Sequence, residues 1–507
     1  MTRQNNNGNG RRLVTQQSVN GVVKSICAIM RRSNCAGALQ YVPELTWILV
    51  LRILDERETQ EAEHAEAVGA GFQPSLKAPY RWRDWAAPDG KKRKYLQEGA
   101  LGSFFAFVNG ELIPQLKLLR DKPNASPRQK VISEIFSGIE KTRIDTERNF
   151  QDILDKVHEI SAETVDPTHV FTLSQVYEGL LLKMGEKGND GGQFFTPREI
   201  IRAVVKVVDP QIGETVYDPG CGTGGFLAQA YEHMKGSKKN LTAPELETLK
   251  RQTFYGREKD NAIYPIALAN LVLHEIDEPH LWHGNTLTGA ETYGGLFMDA
   301  PSLYDVILMN PPFGGKEGKD AQTRFPYKTG STQVLFLQHV INSLKPGGRC
   351  GIVLDEGVLF RTNETAFAQT KKKLLDDCDL WCILSLPPGT FMNAGAGVKT
   401  NLLFFTKGKP TEKIWYYDLS DFKVRKKNPL TQAQFEEFFR LLPKRANGER
   451  SWTVTRQEIE SKGYDLKAVN PHAKNHEDNR TPDELLNLIE SKGQEIAQAL
   501  VVLRKSQ

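Results

Sequence analysis

Residues 214–234 read ETVYDPGCGTGGFLAQAYEHM, a short run of strand formers, then a turn with four glycines, then an apolar run at helical spacing. Strand, glycine-rich turn and helix in that order open an α/β sheet. The glycines let the backbone approach a ligand closely, and the helix N-terminus offers free N–H groups. The spacing Gly220-x-Gly222-x-Gly224-Gly225 departs from the GxGxxG fingerprint of dinucleotide sites.

Working outward, short β-branched or aromatic runs alternate with helical ones across residues 161–420: ETVYD, TFYGRE, YDVILMN, GRCGIVLD, CILSLP and NLLFFT. That alternation predicts a Rossmann-like α/β domain, a mostly parallel sheet with helices on both faces. Asp218, at the end of the first strand, suits a ligand with amino or hydroxyl donors better than a phosphate. S-adenosylmethionine answers that description. Glu258 ends the second strand, where an acidic side chain in such sheets takes ribose hydroxyls; taken alone it reads first as an exposed glutamate paired with Arg257 or Lys259. Asn285 in HGNTLTG is a candidate hydrogen-bond partner for an adenine ring, or a turn residue.

The run YDVILMNPPF, residues 304–313, ends a buried strand in a rigid, donor-poor corner. An exocyclic amino group on a nucleobase is a weak nucleophile because its lone pair is delocalised into the ring. Two acceptors, the Asn310 side-chain oxygen and the Pro311 carbonyl, would draw that nitrogen toward tetrahedral geometry. Pro311 and Pro312 fix the corner and offer no competing N–H. Phe313 can stack on a base flipped out of a duplex. Upstream, GGQFFTPREI at 191–200 predicts a helix beginning at Pro197 behind Thr196, with Phe194 and Phe195 as an apolar wall.

Residues 13–160 read as an all-helical domain, with LTWILVLRILDERE and EIFSGIEKTRIDTERNFQDILDKVHEI at helical spacing. Within it RWRDW and DGKKRKYLQ read as a solvated basic and aromatic loop, with nucleic-acid contact as the second reading. Residues 1–12, MTRQNNNGNGRR, read as disordered. Beyond 420, residues 421–480 read as irregular. At 481–507 Thr481-Pro482-Asp483-Glu484 forms a capping-box pattern ahead of an apolar stripe at Leu485, Ile489, Ile496, Leu500 and Leu503. That terminal helix either packs on its own chain or binds a partner.

Composition bounds the rest. Over 507 residues, 66 Lys and Arg against 62 Asp and Glu leave +4, so any nucleic-acid surface must be local. Cys27, Cys35, Cys221, Cys350, Cys378 and Cys382 contain no CxxC pair and no histidine at zinc spacing, which points to a reducing compartment and no metal site. TWILVLRIL is too short to cross a membrane, and the start lacks an apolar signal core, so a cytoplasmic protein is expected.

In their order, GQFFTP, DPGCGTGGF, Glu258, GNTL and NPPFG resemble the DNA adenine-N6 methyltransferases, and most closely the modification subunit of type I restriction-modification systems. The motifs cover about 165–410; YDLKAVNP at 464–471 is similar to that family's C-terminal region. The resemblance implies an S-adenosylmethionine site at Gln193, Phe194, Phe195, Thr196, Pro197, Arg198, Asp218, Gly220, Gly222, Thr223, Gly224, Gly225, Glu258 and Asn285. It implies catalysis at Asn310, Pro311, Pro312 and Phe313. Gly220 stands where the family often has alanine, and Asn285 where aspartate is common. Implied partners are double-stranded DNA, a specificity subunit flanked by two copies of this chain, and a restriction translocase. An Asn-Pro-Pro-aromatic corner is also similar to that of methyltransferases acting on protein glutamine or ribosomal RNA guanine. A non-catalytic cofactor-binding scaffold of a phage-defence complex is the further alternative.

Overall fold

A computed structural model describes residues 16–33, 35, 38–159, 196–289, 296, 300–391, 398–425, 428–472 and 482–505. The expectations for Gln193, Phe194, Phe195, Thr481 and the first twelve residues fall outside them. Among the described residues the strands are β1 (Val216–Asp218), β2 (Phe254–Glu258), β3 (His280–His283), β4 (Tyr304–Met309), β5 (Leu344–Asp355), β6 (Cys378–Ser385), β7 (Thr400–Lys407), β8 (Lys413–Asp418) and β9 (Ser451–Thr455). They form one sheet in the order β3-β2-β1-β4-β5-β7-β6-β8-β9.

β1 pairs in parallel with β2 and β4, β2 with β3, and β4 with β5, whereas β7 runs antiparallel to both β5 and β6. The parallel strands are apolar along their length because helices cover both faces; Val216, Val306, Ile307, Leu308 and Met309 are fully buried. The chain runs outward from β1 to β2 and β3, then returns to β4 on the other side of β1. At such a reversal the loops leave the sheet in opposite directions and open a crevice at the carboxyl ends of the strands.

The helices Arg198–Val208, Gly225–Gly236 and Ile263–Leu273 share one buried cluster with the N-terminal helices Gln16–Arg32, Ala38–Ala67, Pro127–Phe136 and Glu147–His158. The helical domain and one face of the sheet therefore have a continuous core. A charged contact joins them as well. Asp277, just before β3, receives Arg57 Nη2 and Arg128 Nη2, each at 3.2 Å, and Arg128 also holds Glu61 at 2.8 Å.

Two regions differ from expectation. RWRDW and DGKKRKYLQ do not form a solvated loop: Trp82–Trp85 and Lys91–Glu98 are helices, Trp85 is buried among Phe104, Phe107 and Phe150, and Trp82 is buried edge-on against Trp85. Arg93, also buried, donates to the Ala86 carbonyl and pairs with Asp155. The basic letters thus hide an aromatic core contribution.

Residues 421–472 are not irregular either. They supply the helix Glu436–Leu441, strand β9 and the helix Arg456–Ser461. The reason lies in β8, whose aromatic side chains emerge on both faces. Phe438 stacks on Trp415 at 5.7 Å and Trp452 on Tyr416 at 5.5 Å. The terminal helix, Pro482–Lys505, leaves Leu486, Leu488, Ile489 and Ile496 exposed. Among the described residues no helix is long and apolar enough to cross a membrane, and all six cysteines are free and buried.

Candidate active site

A cavity of about 330 Å³ opens at the carboxyl ends of β1, β2 and β4. β1 ends on Asp218, the chain turns through Gly222 (φ +53°) and Gly224 (φ +78°), and the helix begins at Gly225. Close approach explains two of the glycines. A Cβ on Gly225 would lie 2.9 Å from Ile201 Cδ1, and one on Gly220 would lie 3.1 Å from Met309 Cε. Asn270, buried on the helix Ile263–Leu273, braces the loop by donating from Nδ2 to the Thr223 carbonyl at 2.9 Å.

Two carboxylates stand over this loop. Asp218 Oδ1 accepts from Gly220 N at 3.2 Å. Glu258 accepts from Gly222 N at 2.9 Å and from Asp260 N at 2.8 Å. Glu258 is buried, and the alternative of an exposed side chain paired with Arg257 or Lys259 falls away. Among the described residues no Lys or Arg forms an ion pair with either acid. Burial, with the negative Glu258 nearby, pushes the Asp218 carboxyl up to about 8. Burial, with Asp260 nearby, pushes Glu258 up to about 7. Each carboxylate retains lone pairs for a ligand carrying hydroxyl or amino donors, and such donors would relieve the cost of ionisation.

The Asn310 corner closes the other wall. Asn310 Nδ2 donates to Thr196 Oγ1 at 2.9 Å, whereas its Oδ1 is buried with no partner among the described residues. An acceptor held at a cavity wall and left unused is costly to the empty protein, and it is the geometry that an incoming amino group requires. Thr196 is not a helix cap. The helix starts at Arg198, one residue later than expected, and Pro197 at its N-cap makes no side-chain capping bond. The Thr196 hydroxyl orients the Asn310 amide instead. Phe313 is half-buried, edge-on to Phe391 at 5.2 Å and 71°.

Asn285 Oδ1 accepts from Leu287 N at 2.9 Å and so closes a turn, which leaves its amide donors for a ligand. The cavity thus brings together Thr196, Asp218, Gly220, Gly222, Thr223, Gly225, Glu258, Asn285, Asn310, Pro312 and Phe313. Pro197, Arg198, Gly224 and Pro311 stand outside its lining. Gly224 packs instead toward Leu271, which a Cβ there would meet at 3.3 Å. Sequence reasoning missed Asp260, Thr286 and Phe336 in the lining, and Phe391 behind Phe313. Asp260 had a local signal, a carboxylate just ahead of an apolar helical run: its Oδ1 accepts from Ala262 N and Ile263 N. Phe336 and Phe391 meet the site only through the fold.

A doubly wound sheet with a glycine loop and paired acids at its reversal point, facing an Asn-Pro-Pro-Phe corner, is the architecture of the class of methyltransferases that use a nucleoside-type cofactor. The N-6 DNA Methylase family model matches residues 169–480, and the HsdM N-terminal domain model matches residues 19–163. The chain belongs to the N-6 DNA methylase family. It is 33% identical to the type I restriction enzyme EcoEI methylase subunit of Escherichia coli, over 96% of this chain and 97% of that one. A solved chain from work on complex assembly and conformational transition of the type I R-M system is 36% identical with a TM-score of 0.73, covering 97% of this chain and 98% of its own. A crystallised modification subunit, ascribed to a type I restriction enzyme of Vibrio vulnificus, is 33% identical with a TM-score of 0.76 over 91% of this chain and 98% of its own.

Proposed function

We propose that this chain is the modification subunit of a type I restriction-modification complex. It transfers the methyl group of S-adenosylmethionine to the N6 amino group of adenine in double-stranded DNA, while a separate specificity subunit reads the sequence. Two copies of this chain flank that subunit, and a restriction translocase can join them. The names of the full-length relatives support the assignment to this system.

The cavity suits the cofactor in volume and in donor set. Asp218 and Glu258 offer acceptors for ribose hydroxyls and amino donors, Asn285 offers its amide donors to the adenine ring, and Thr223 to Gly225 bring backbone close. The bound cofactor supplies an electrophilic methyl group on a sulfonium. At the other wall, Asn310 Oδ1 and the Pro311 carbonyl accept the two N–H bonds of the target amino group, which frees its lone pair. Phe313 stacks on the flipped base. Thr196 anchors the Asn310 amide through its nitrogen, with Oδ1 left for the substrate.

One observation carries this reading: the buried, unpartnered Asn310 Oδ1 beside the cavity. In the purified complex, Asn310→Ala is expected to lower methyl transfer by ~100-fold or more while S-adenosylmethionine affinity stays near wild type. Unchanged turnover would remove Asn310 from the mechanism. Digestion of the methylated DNA to nucleosides is expected to give N6-methyldeoxyadenosine; a methylated guanine nucleoside in its place, or no methylated nucleoside at all, would refute the substrate.

A further inference from the structure

Methylation of an amino group leaves one proton to be placed. When the adenine nitrogen bonds to the methyl carbon it becomes a cation that still carries two hydrogens, and one of them must leave. Asn310 Oδ1 and the Pro311 carbonyl hold those hydrogens in hydrogen bonds, but an amide oxygen is far too weak a base to keep a proton. An ionised carboxylate is a base that can. Among the described residues, four carboxylates line the cavity: Asp218, Glu258, Asp260 and Glu317. Asp218 and Glu258 stand at the glycine loop, on the cofactor side. Asp260 Oδ1 is taken by Ala262 N and Ile263 N at the head of the helix Ile263–Leu273. Of the four, only Glu317 lies on the loop that continues from the corner, in the lining that holds Asn310 and Phe313.

That loop is folded so as to hold the side chain in place. Lys316 and Ser331 meet in an antiparallel bridge. Glu317 N donates to the Gly330 carbonyl at 2.9 Å, and Thr332 N to the Gly315 carbonyl at 3.2 Å. Gly315 permits this closure, since a Cβ there would lie 2.5 Å from Thr332 Oγ1. Gln322 Nε2 donates to the Glu317 carbonyl at 2.8 Å, so the backbone of Glu317 is held on both sides. Thr332 Oγ1 then donates to Glu317 Oε1 at 2.9 Å. Among the described residues Oε2 has no hydrogen bond, and no Lys or Arg, the neighbouring Lys316 included, forms an ion pair with this carboxylate. Thr332 opens a helix of 12 residues, Thr332–Ser343, whose dipole favours an anion at that end. The result is a half-buried carboxylate with one oxygen anchored and one oxygen open.

We propose that Glu317 is a further catalytic residue, whose Oε2 takes the proton that the target amino group sheds. The proposal rests on the methyl-transfer reading above. The adenine nitrogen forms the N–C bond while the C–S bond of the sulfonium breaks and leaves its electron pair on sulfur. With its lone pair spent, the nitrogen is joined to the ring by a single bond and can turn one N–H out of the ring plane. That N–H breaks, its electron pair returns to nitrogen, and the proton forms O–H on Glu317, directly or through one water. The products are N6-methyladenine, a neutral thioether and a protonated Glu317, which passes its proton to solvent when the base leaves.

The test uses the complex with its specificity subunit, a duplex of its own recognition sequence and single-turnover methylation at saturating S-adenosylmethionine. Glu317→Gln keeps the shape and an acceptor for Thr332 but cannot hold a proton. It is expected to slow methyl transfer by ~100-fold or more. Its melting temperature, its affinity for S-adenosylhomocysteine and the fluorescence of 2-aminopurine at the target position, which reports base flipping, are expected to match wild type. Glu317→Ala, which opens space beside Thr332, is expected to regain about tenfold of its rate in added formate. Wild-type turnover in Glu317→Gln would overturn the proposal. So would a slow Glu317→Gln that has lost flipping or cofactor affinity in proportion, with Glu317→Ala indifferent to formate, since Glu317 would then only brace the loop. A wild-type complex that leaves adenine unmethylated would be a failure of the methyl-transfer reading, distinct from a failure of Glu317.

Discussion

Replacing Asp218 with asparagine should stabilise the empty protein at alkaline pH and at the same time damage its cofactor site. Asp218 is 1% exposed, and its carboxyl is pushed up from 3.8 to about 8 by burial, with Glu258 adding repulsion. A carboxyl whose folded value exceeds its unfolded value holds its proton more tightly in the fold. The native state therefore binds more protons than the unfolded chain between about pH 4 and 8, and stability falls as pH rises through that window. At about 1.4 kcal/mol for each pH unit the upper bound is near 6 kcal/mol. Solvent in the adjoining cavity screens the charge, and a cost on the order of 2–4 kcal/mol is the better figure.

Asparagine keeps an oxygen for Gly220 N and removes the charge. At pH 8.5 the empty Asp218→Asn protein should melt roughly 2–6 °C above wild type, and the gap should shrink as pH falls and close only below about pH 4. Other titrating groups cancel in the difference between the two melting curves. S-adenosylmethionine should reverse the order: donors that meet the ionised carboxylate release its proton, so wild-type affinity should fall as pH drops below about 8, by up to about tenfold per unit. The variant should bind about 10–100-fold more weakly than wild type at pH 8.5. Scanning calorimetry over pH, with titration calorimetry in two buffers to count released protons, decides the matter. A variant no more stable than wild type at pH 8.5 would refute the claim that the empty site carries an uncompensated buried charge.

Thr196→Val should leave cofactor affinity unchanged and cut methylation turnover by roughly tenfold, since it removes the hydroxyl that orients Asn310 and little else; a turnover equal to wild type would make the contact incidental. Asp277→Ala removes the carboxylate that Arg57 and Arg128 share between the helical domain and the sheet, leaving them Glu58 and Glu61 on their own side, and a loss of about 1–2 kcal/mol is expected in denaturant unfolding. A chain ending at Arg480 should keep its melting temperature and its S-adenosylmethionine binding, because the side chains of Leu486, Leu488, Ile489 and Ile496 are exposed. It should fail to co-purify with the specificity subunit, and normal assembly would end the docking role for this helix.

The readings that survive best from sequence to structure are those where chemistry and geometry are local. Asp218, the glycines after it and Glu258 all sit at strand ends, so the period of the strands and one turn suffice to place them. Asn310 is legible for the same reason, because two prolines fix its corner. Thr196 was misread through a local rule: a threonine ahead of a proline looks like a helix cap, but the hydroxyl is claimed by Asn310, 114 positions further on. The same limit hid Trp82 and Trp85, whose basic neighbours dominate the local pattern while the rings go into the core. Residues 421–472 were unreadable because their order comes from β8, which needs aromatic cover on both faces before its strand can be buried.

The helix Ile263–Leu273 links three parts that the sequence presents separately. At its start, Asp260 Oδ1 accepts from Ala262 N and Ile263 N, while Asp260 N is held by Glu258 Oε1. In its last turns, Asn270 braces the glycine loop through Thr223. At its end, the Val272 carbonyl accepts from Arg57 Nη1 at 2.9 Å, and the following Asp277 takes both arginines of the helical domain. One helix therefore carries the loop brace, meets Glu258 through Asp260 ahead of its start and adjoins the docking point of the N-terminal domain at its end. Movement of that domain has a continuous route to Glu258 along this helix. The docking carboxylate can then bias cofactor affinity without touching the cofactor, and Asp277→Ala separates the two cases: a bystander would lower stability alone, whereas a coupled element would lower stability and S-adenosylmethionine affinity together.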